Sequence, residues 1–422
     1  MVTTRYWWDS FKLGCLSFGG PAGQIALMHR VAVTEGRHIS EEQFQAALSF
    51  CMFLPGPEAL QLAIFIGWQR LGWKGAVVSG LGFLIPGTAM MLLLAALFVK
   101  FGSLSPILPV LTGLKVAAVA LLVDALWRLG ERQYGQSLIQ RAQSNDFHRW
   151  RTIVSRWSGI VIALLAMISL SYSWLPYPWI VAGAAVLGSL NPVMISSNAQ
   201  PVNPRWLDVL KPLLWGVCLW VAVSAAVYIV SGNSLLWRIH VFFSQVALGG
   251  FGGAYAVVAW VRDSLSQTGA HLLDSDWLTG LALTETTPGP LTLVLPFYGF
   301  LAIFRETASI EFSLLAAVLF VFSVFLPSFV LVIGFSRLMS VVTQNARAHA
   351  ALRAISSAVL GVIAVFAYKL AVLVCWSETS HSIQWVSVVG VLLAVGLMRL
   401  MKWSIAQVIV ISLAIPLVGY WL

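Results

Sequence analysis

Residues 280–302 read GLALTETTPGPLTLVLPFYGFLA. The run carries one charge, Glu285, and is otherwise apolar or hydroxylated. That is the composition of a membrane span, which needs about 20 mostly apolar residues. Yet Pro288-Gly289-Pro290 stands in its middle, and no straight helix continues through it. A broken helix in lipid leaves backbone N–H and C=O groups without partners. It is tolerated only where protein covers it or where it lines a polar cavity.

The same break stands 233 residues earlier, as Pro55-Gly56-Pro57 within FLPGPEALQLAIFIGW (53–68). A second breaker repeats at the same separation: Phe18-Gly19-Gly20, followed by Pro21, recurs as Phe251-Gly252-Gly253. His38 and His271 also keep this spacing, and Leu114-Lys115 resembles Leu352-Arg353 at 238. Such self-similarity predicts two homologous halves, 1–190 and 236–422. The linker 191–235 holds a Pro/Asn/Ser-rich stretch and one extra span.

Composition agrees with a membrane location. Of 422 residues 59% are hydrophobic and only 10% charged, against about 25% in soluble domains. Mean hydropathy is +0.86. Such a chain cannot keep its apolar surface from water as a soluble globule. This excludes an ordinary cytosolic enzyme, a disordered chain and a nucleic-acid binder, despite a net charge of +9. Cys15, Cys51, Cys218 and Cys375 lie far apart in apolar segments and read as small buried residues. No cleavable leader is expected, because Arg5, Asp9 and Lys12 interrupt the first residues.

The expected fold is all-α and polytopic, with about thirteen transmembrane segments. They are 7–34, 41–68, 74–99, 106–127, 157–173, 177–190, 207–231, 237–262, 277–304, 311–336, 352–375, 383–398 and 403–421. Basic residues mark cytoplasmic loops. The stretch 128–156 holds Arg128, Arg132, Arg141, Arg149, Arg151 and Arg156 against Glu131 and Asp146, so it is placed inside. Alternation from there puts the N-terminus inside and the C-terminus outside. One loop fits poorly: 263–276 falls inside although it carries Asp263, Asp274 and Asp276. Six spans per half plus one linking span flip the second half, giving an inverted-topology repeat of the kind secondary transporters use. This count assumes that the Pro-Gly-Pro segments span rather than re-enter.

At a restarted helix the free N–H groups and the positive end of the dipole make an anion site without lysine. The expected substrate-binding residues are Ser17, Phe18, Gly19, Gly20, Pro21, Pro55, Gly56, Pro57 and Gln61, with Phe251, Gly252, Gly253, Pro288, Gly289 and Pro290. Thr284, Thr286, Thr287 and Thr292 flank the last break; their hydroxyls either donate to an oxyanion or bond back within the helix. Glu58 and Glu285 sit at breaks and are candidates for proton coupling, or caps for the freed N–H groups. Lys115 and Arg353 hold matching places and either neutralise substrate charge or snorkel to the surface. Asp124 and Lys369 lie deep in apolar segments, interfacial or paired. His38 and His271 read as helix-entry residues.

With FKLGCLSFGGP (11–21) and ALGGFGGAYAVVAWV (247–261) added to the two Pro-Gly-Pro segments, the sequence resembles the CHR family of chromate ion transporters. The resemblance covers both halves and implies a bacterial plasma-membrane protein that exports chromate and confers chromate resistance. It also implies kinship with sulfate, of the same shape and charge. At Glu58 the family pattern takes an uncharged polar residue about as often. The leading expectation is therefore secondary active export of a tetrahedral divalent oxyanion. The alternatives are transport of sulfate or another oxyanion, a passive anion channel, and an intramembrane enzyme. No HExxH, GxSxG or Walker-type motif supports the last. The expected partners are chromate or sulfate and the lipid bilayer; a homodimer is allowed. No nucleic acid, metal or cofactor is implied.

Overall fold

The computed structural model describes residues 2–36, 39–102, 104, 108–135, 146–190, 206–339, 345–377, 381–405 and 407–413. His38 lies outside them. The first half holds α1 (Val2–Leu16), α2 (Gly20–His29), α3 (Glu41–Cys51), α4 (Glu58–Phe101), α5 (Leu108–Gly130), α6 (Asp146–Ser171) and α7 (Tyr177–Leu190). The linking helix is α8 (Trp206–Ser231). The second half holds α9 (Leu235–Gly249), α10 (Ala254–Ser264), α11 (Asp274–Thr286), α12 (Val294–Thr307), α13 (Ile310–Phe335), α14 (Ala346–Cys375) and α15 (Trp385–Leu400). Residues 407–413 are helical. A two-residue β-pairing, Trp376–Ser377 with Ser382–Ile383, closes the turn after α14.

Each breaker ends a helix where its chemistry demands. Pro21 fits the first turn of α2, where its missing N–H costs nothing. Pro57 immediately precedes α4, and Pro290 precedes the short 3₁₀ turn Leu291–Leu293 that leads into α12. The 15 residues of α1 span about 22 Å at 1.5 Å per residue, short of the ~30 Å hydrocarbon core. Helices α2, α3 and α9–α12 are no longer than that.

These short helices are where the structure departs from the thirteen-span expectation. In the second half they fold as hairpins. The start of α9 lies beside the residues after α10, where Arg238 Nε donates to the Thr268 carbonyl at 2.6 Å. Phe242 and Trp260 face each other at 6.3 Å. At the open end of the next hairpin, Arg305 of α12 pairs with Asp276 of α11 at 2.5 Å. Further in, the Trp277 and Tyr298 rings lie 4.5 Å apart, and Tyr298 Oη donates to the Trp277 carbonyl. The segments 237–262 and 277–304 are thus hairpins tipped by Gly-Gly and Pro-Gly-Pro. The sequence alone could not distinguish this from spanning, because apolar length is identical in both. In the first half Phe50 of α3 faces Phe65 of α4 at 5.7 Å across Pro55-Gly56-Pro57. Helix α4 itself folds back at Leu71 and Gly72, which leave helical geometry.

Among the described residues, five helices are long and apolar enough to cross a membrane: those at 58–101, 109–134, 209–231, 310–338 and 346–375. Shorter apolar helices lie at 157–171, 177–190, 235–249 and 385–400. The halves interlock: α14 of the second packs on α6 and α7 of the first, while α5 of the first packs on α15 of the second. Small residues permit this closeness, as lipid supplies no hydrophobic drive between helices. A Cβ on Gly361 would meet the Ala163 carbonyl at 2.1 Å, and one on Gly188 the Ala350 carbonyl at 2.6 Å. Outward faces carry bare apolar side chains such as Trp215, Ile229 and Val230. Cys51 is buried as expected, but Cys15 and Cys218 lie on these exposed faces.

The fold-back in α4 depends on Gly67, where an added Cβ would stand 2.3 Å from the Gly75 carbonyl. Gly67→Ala is expected to cost about 1–3 kcal/mol, the scale of an overpacked contact, read as a lower unfolding midpoint in detergent. Gly183→Ala, with nothing within 4 Å, is expected to leave that midpoint unchanged or raise it.

Candidate functional site

The four breaks meet. The backbone N–H of Gly56 donates to the Gly250 carbonyl at 3.1 Å, and that of Gly289 donates to the Ser17 carbonyl at 2.9 Å. These bonds are reciprocal: each Pro-Gly-Pro tip is held by the Gly-Gly break of the opposite half, and both bonded positions differ by 233. Gly56 and Gly289 have φ of 115° and 94°, a region open to glycine at little cost. Side chains complete the junction. Gln24 Nε2 donates to the Gly289 carbonyl at 2.6 Å and the Ser17 carbonyl at 3.3 Å, and Gln61 Nε2 donates to the Pro55 carbonyl at 2.6 Å. Tyr177 of α7 donates to the Phe251 carbonyl.

Around this junction lies a cavity of about 320 Å³, within the range of small-ligand sites. Gly19, Gly20 and Pro21 line it from one break, and Gly56, Pro57 and Glu58 from the second. Gly252 and Gly253 line it from the third, and Glu285 and Pro290 from the fourth. The first residues of four restarted helical segments thus open on one space. Each helix N-terminus carries about +0.5 elementary charge, so four supply on the order of +2.

Other expected residues take different roles. Ser17, Phe18, Pro55, Gln61, Phe251, Pro288 and Gly289 shape the tips without lining the cavity. The Ser17 hydroxyl donates to the Leu13 carbonyl. Those of Thr284, Thr286 and Thr287 bond back to Gly280, Leu283 and Thr284. For these four the local alternative prevails, since a carbonyl one turn back is always within reach. Thr292 differs: its buried hydroxyl has no hydrogen-bond partner among the described residues, and the residue lines the cavity. Lys115 and Arg353 are not in the lining. Lys115 is electrostatically coupled to Asp276, and the Arg353 carbonyl accepts from Gln133 at 3.0 Å. Asp124 and Lys369 are both paired, Lys369 with Asp263 at 3.1 Å. His271 is exposed in the loop before α11.

The cavity also holds groups the sequence reading did not assign there: Gln24, Arg128, Arg132 and Tyr255. Arg128 and Arg132 read as loop charges, but helical structure continues through them and brings them to the cavity mouth. Their signal was the Asp124–Arg128 spacing of four, an ion pair along one helix face. Arg132 is electrostatically coupled to Glu58, and Arg128 to Glu285, whose carboxylate accepts from Tyr255. A further repeat was also missed. Pro86-Gly87 and Pro327-Ser328 stand 241 apart, and each backs one tip. A Cβ on Gly87 would meet the Pro288 carbonyl at 2.2 Å, and one on Gly56 would meet Ser328 Oγ at 2.6 Å. Among the described residues, no group of three or more His, Cys, Asp or Glu side chains is placed to hold a metal.

Broken helices meeting at a cavity are a plan that membrane transporters use. The family model described as Chromate transporter matches residues 4–189 and again 237–420, and the chain belongs to that family. A chromate transport protein of Pseudomonas aeruginosa is 30% identical over 97% of this chain and 90% of its own length. One of Cupriavidus metallidurans is 26% identical over 69% of this chain and 65% of its own. A probable chromate transport protein of Synechococcus elongatus is 27% identical, covering 69% and 67%. No solved structure matches.

Gln24 bridges the two halves' breaks, so Gln24→Leu strands the Gly289 carbonyl. A loss of about 1–3 kcal/mol is expected, measured as a lower unfolding midpoint in detergent. Thr292→Val, which removes a hydroxyl without a hydrogen-bond partner among the described residues, is expected to leave that midpoint unchanged.

Proposed function

We propose that this protein carries chromate outward across the plasma membrane as a secondary active transporter, and thereby confers chromate resistance. The observation that carries this is the convergence of four helix N-termini on one cavity. A tetrahedral dianion there takes its hydrogen bonds from backbone N–H groups and the Thr292 hydroxyl, with Arg128 and Arg132 at the mouth. With the cell interior negative, expelling two charges through 100 mV releases about 4.6 kcal/mol. Glu58 and Glu285 are the candidates for proton coupling; without it, export runs on the potential alone.

The repeats are proposed as 1–190 and 236–422, of opposite orientation and joined through 191–235. Matching helix ends support this: α1 and α9 keep the offset of 233 at both termini. So does the separate family match to each half. Hairpins in place of two spans remove an even number of crossings from each half, so the inversion survives. The N-terminus stays inside. The acidic loop 263–276 moves outside, which removes the conflict with the charge rule. Asp276 beside Arg305, and Asp263 beside Lys369, agree with that placement.

The test is chromate flux into everted vesicles under an imposed potential, with and without a pH gradient. Uptake is expected to rise with a positive lumen and to be inhibited by sulfate. Thr292→Val and Gly87→Leu are expected to lower it several-fold at equal protein level. Flux no greater than in control membranes overturns the reading. Flux that follows potential and ignores the pH gradient removes the proton role of Glu58 and Glu285.

A further inference from the structure

At the cavity mouth, one carboxylate is shared by two guanidinium groups from opposite halves. Asp124 of α5 is buried, with 3% of its surface exposed. One of its oxygens accepts from Arg128, one turn along the same helix. The other lies 2.8 Å from Nε of Arg399, at the end of α15. Arg399 also donates to the Asp124 main-chain carbonyl at 3.2 Å and to Glu131 at 3.2 Å, and its guanidinium stands 5.4 Å from the centre of the Trp127 ring. Glu131 is exposed, so solvent and salt screen it. Of the two arginines on this carboxylate, Arg128 lines the cavity and Arg399 does not.

We propose that Arg399 is a positioning residue that governs how much positive charge Arg128 presents to the substrate. This rests on the reading of the cavity as a dianion site. Asp124 alone with Arg128 would form a neutral pair, its carboxylate opposing the cation that faces the cavity. With Arg399 on its second oxygen, the buried carboxylate and its two more exposed guanidinium groups together carry a net positive charge. The surplus resides where a dianion enters. Because Arg399 comes from the second half and Arg128 from the first, any motion that parts α15 from α5 weakens the attraction at the mouth. Affinity and conformation are thereby tied through one buried carboxylate.

The test measures KM and Vmax for chromate in everted vesicles, with protein level checked for each variant. Arg399→Gln is expected to raise KM several-fold, and Asp124→Asn, which frees Arg128, to lower it. The double variant returns toward the native KM, and Arg399→Lys stays near it. A purely structural role predicts lower protein level or lower Vmax for both single variants, with no opposition in KM. Equal or same-direction KM shifts overturn the proposal while leaving the dianion site standing. No flux by the native protein overturns both. If Arg399→Gln does not accumulate, Arg399→Lys and Asp124→Asn decide: an unchanged KM in Asp124→Asn is sufficient to reject it.

Discussion

A broken helix in a membrane must find partners for the backbone groups it frees, and this protein finds them in its own other half. Gly56 bonds to the Gly250 carbonyl and Gly289 to the Ser17 carbonyl. Neither half can satisfy its Pro-Gly-Pro tip alone. The rest of the architecture follows from this exchange. The hairpins bring the tips inward, while Gly87 and Ser328 leave room behind them. The first residues of four restarted helical segments line a common space.

The frame is symmetric and the charges are not. At the 233 offset, Glu58 corresponds to Leu291, and Glu285 to Met52; Tyr255 corresponds to Ala22. Arg128 and Arg132 come only from the first half. Breaks that repeat between the halves are thus combined with ionisable groups that do not: Glu58, Arg128 and Arg132 from the first half, Tyr255 and Glu285 from the second.

Much of the site was legible because breakers are rare in apolar segments and their spacing repeats. Ten residues expected from sequence line the cavity, including both glutamates. The threonines before the last break were misleading, because a hydroxyl's usual partner is a carbonyl one turn back. Lys115 and Arg353 looked equivalent by position in the chain, yet neither lines the cavity. Arg128 and Arg132 were assigned to a loop because positive charge near a span end has that reading by default. The helix simply runs further than apolarity suggested.

By itself, the sequence determined that the chain is a membrane protein and that Gly and Pro break its apolar segments at four places whose spacing repeats. These follow from composition and from the conformational limits of Gly and Pro, which hold whatever the chain contacts. Only the tertiary structure decided that the broken segments of the second half are hairpins, and which half satisfies which break. It also decided which side chains face the cavity. An apolar run has the same composition whether it crosses the membrane or turns back within it. The partner of a freed N–H group is chosen by distance in space, which lies outside any local pattern.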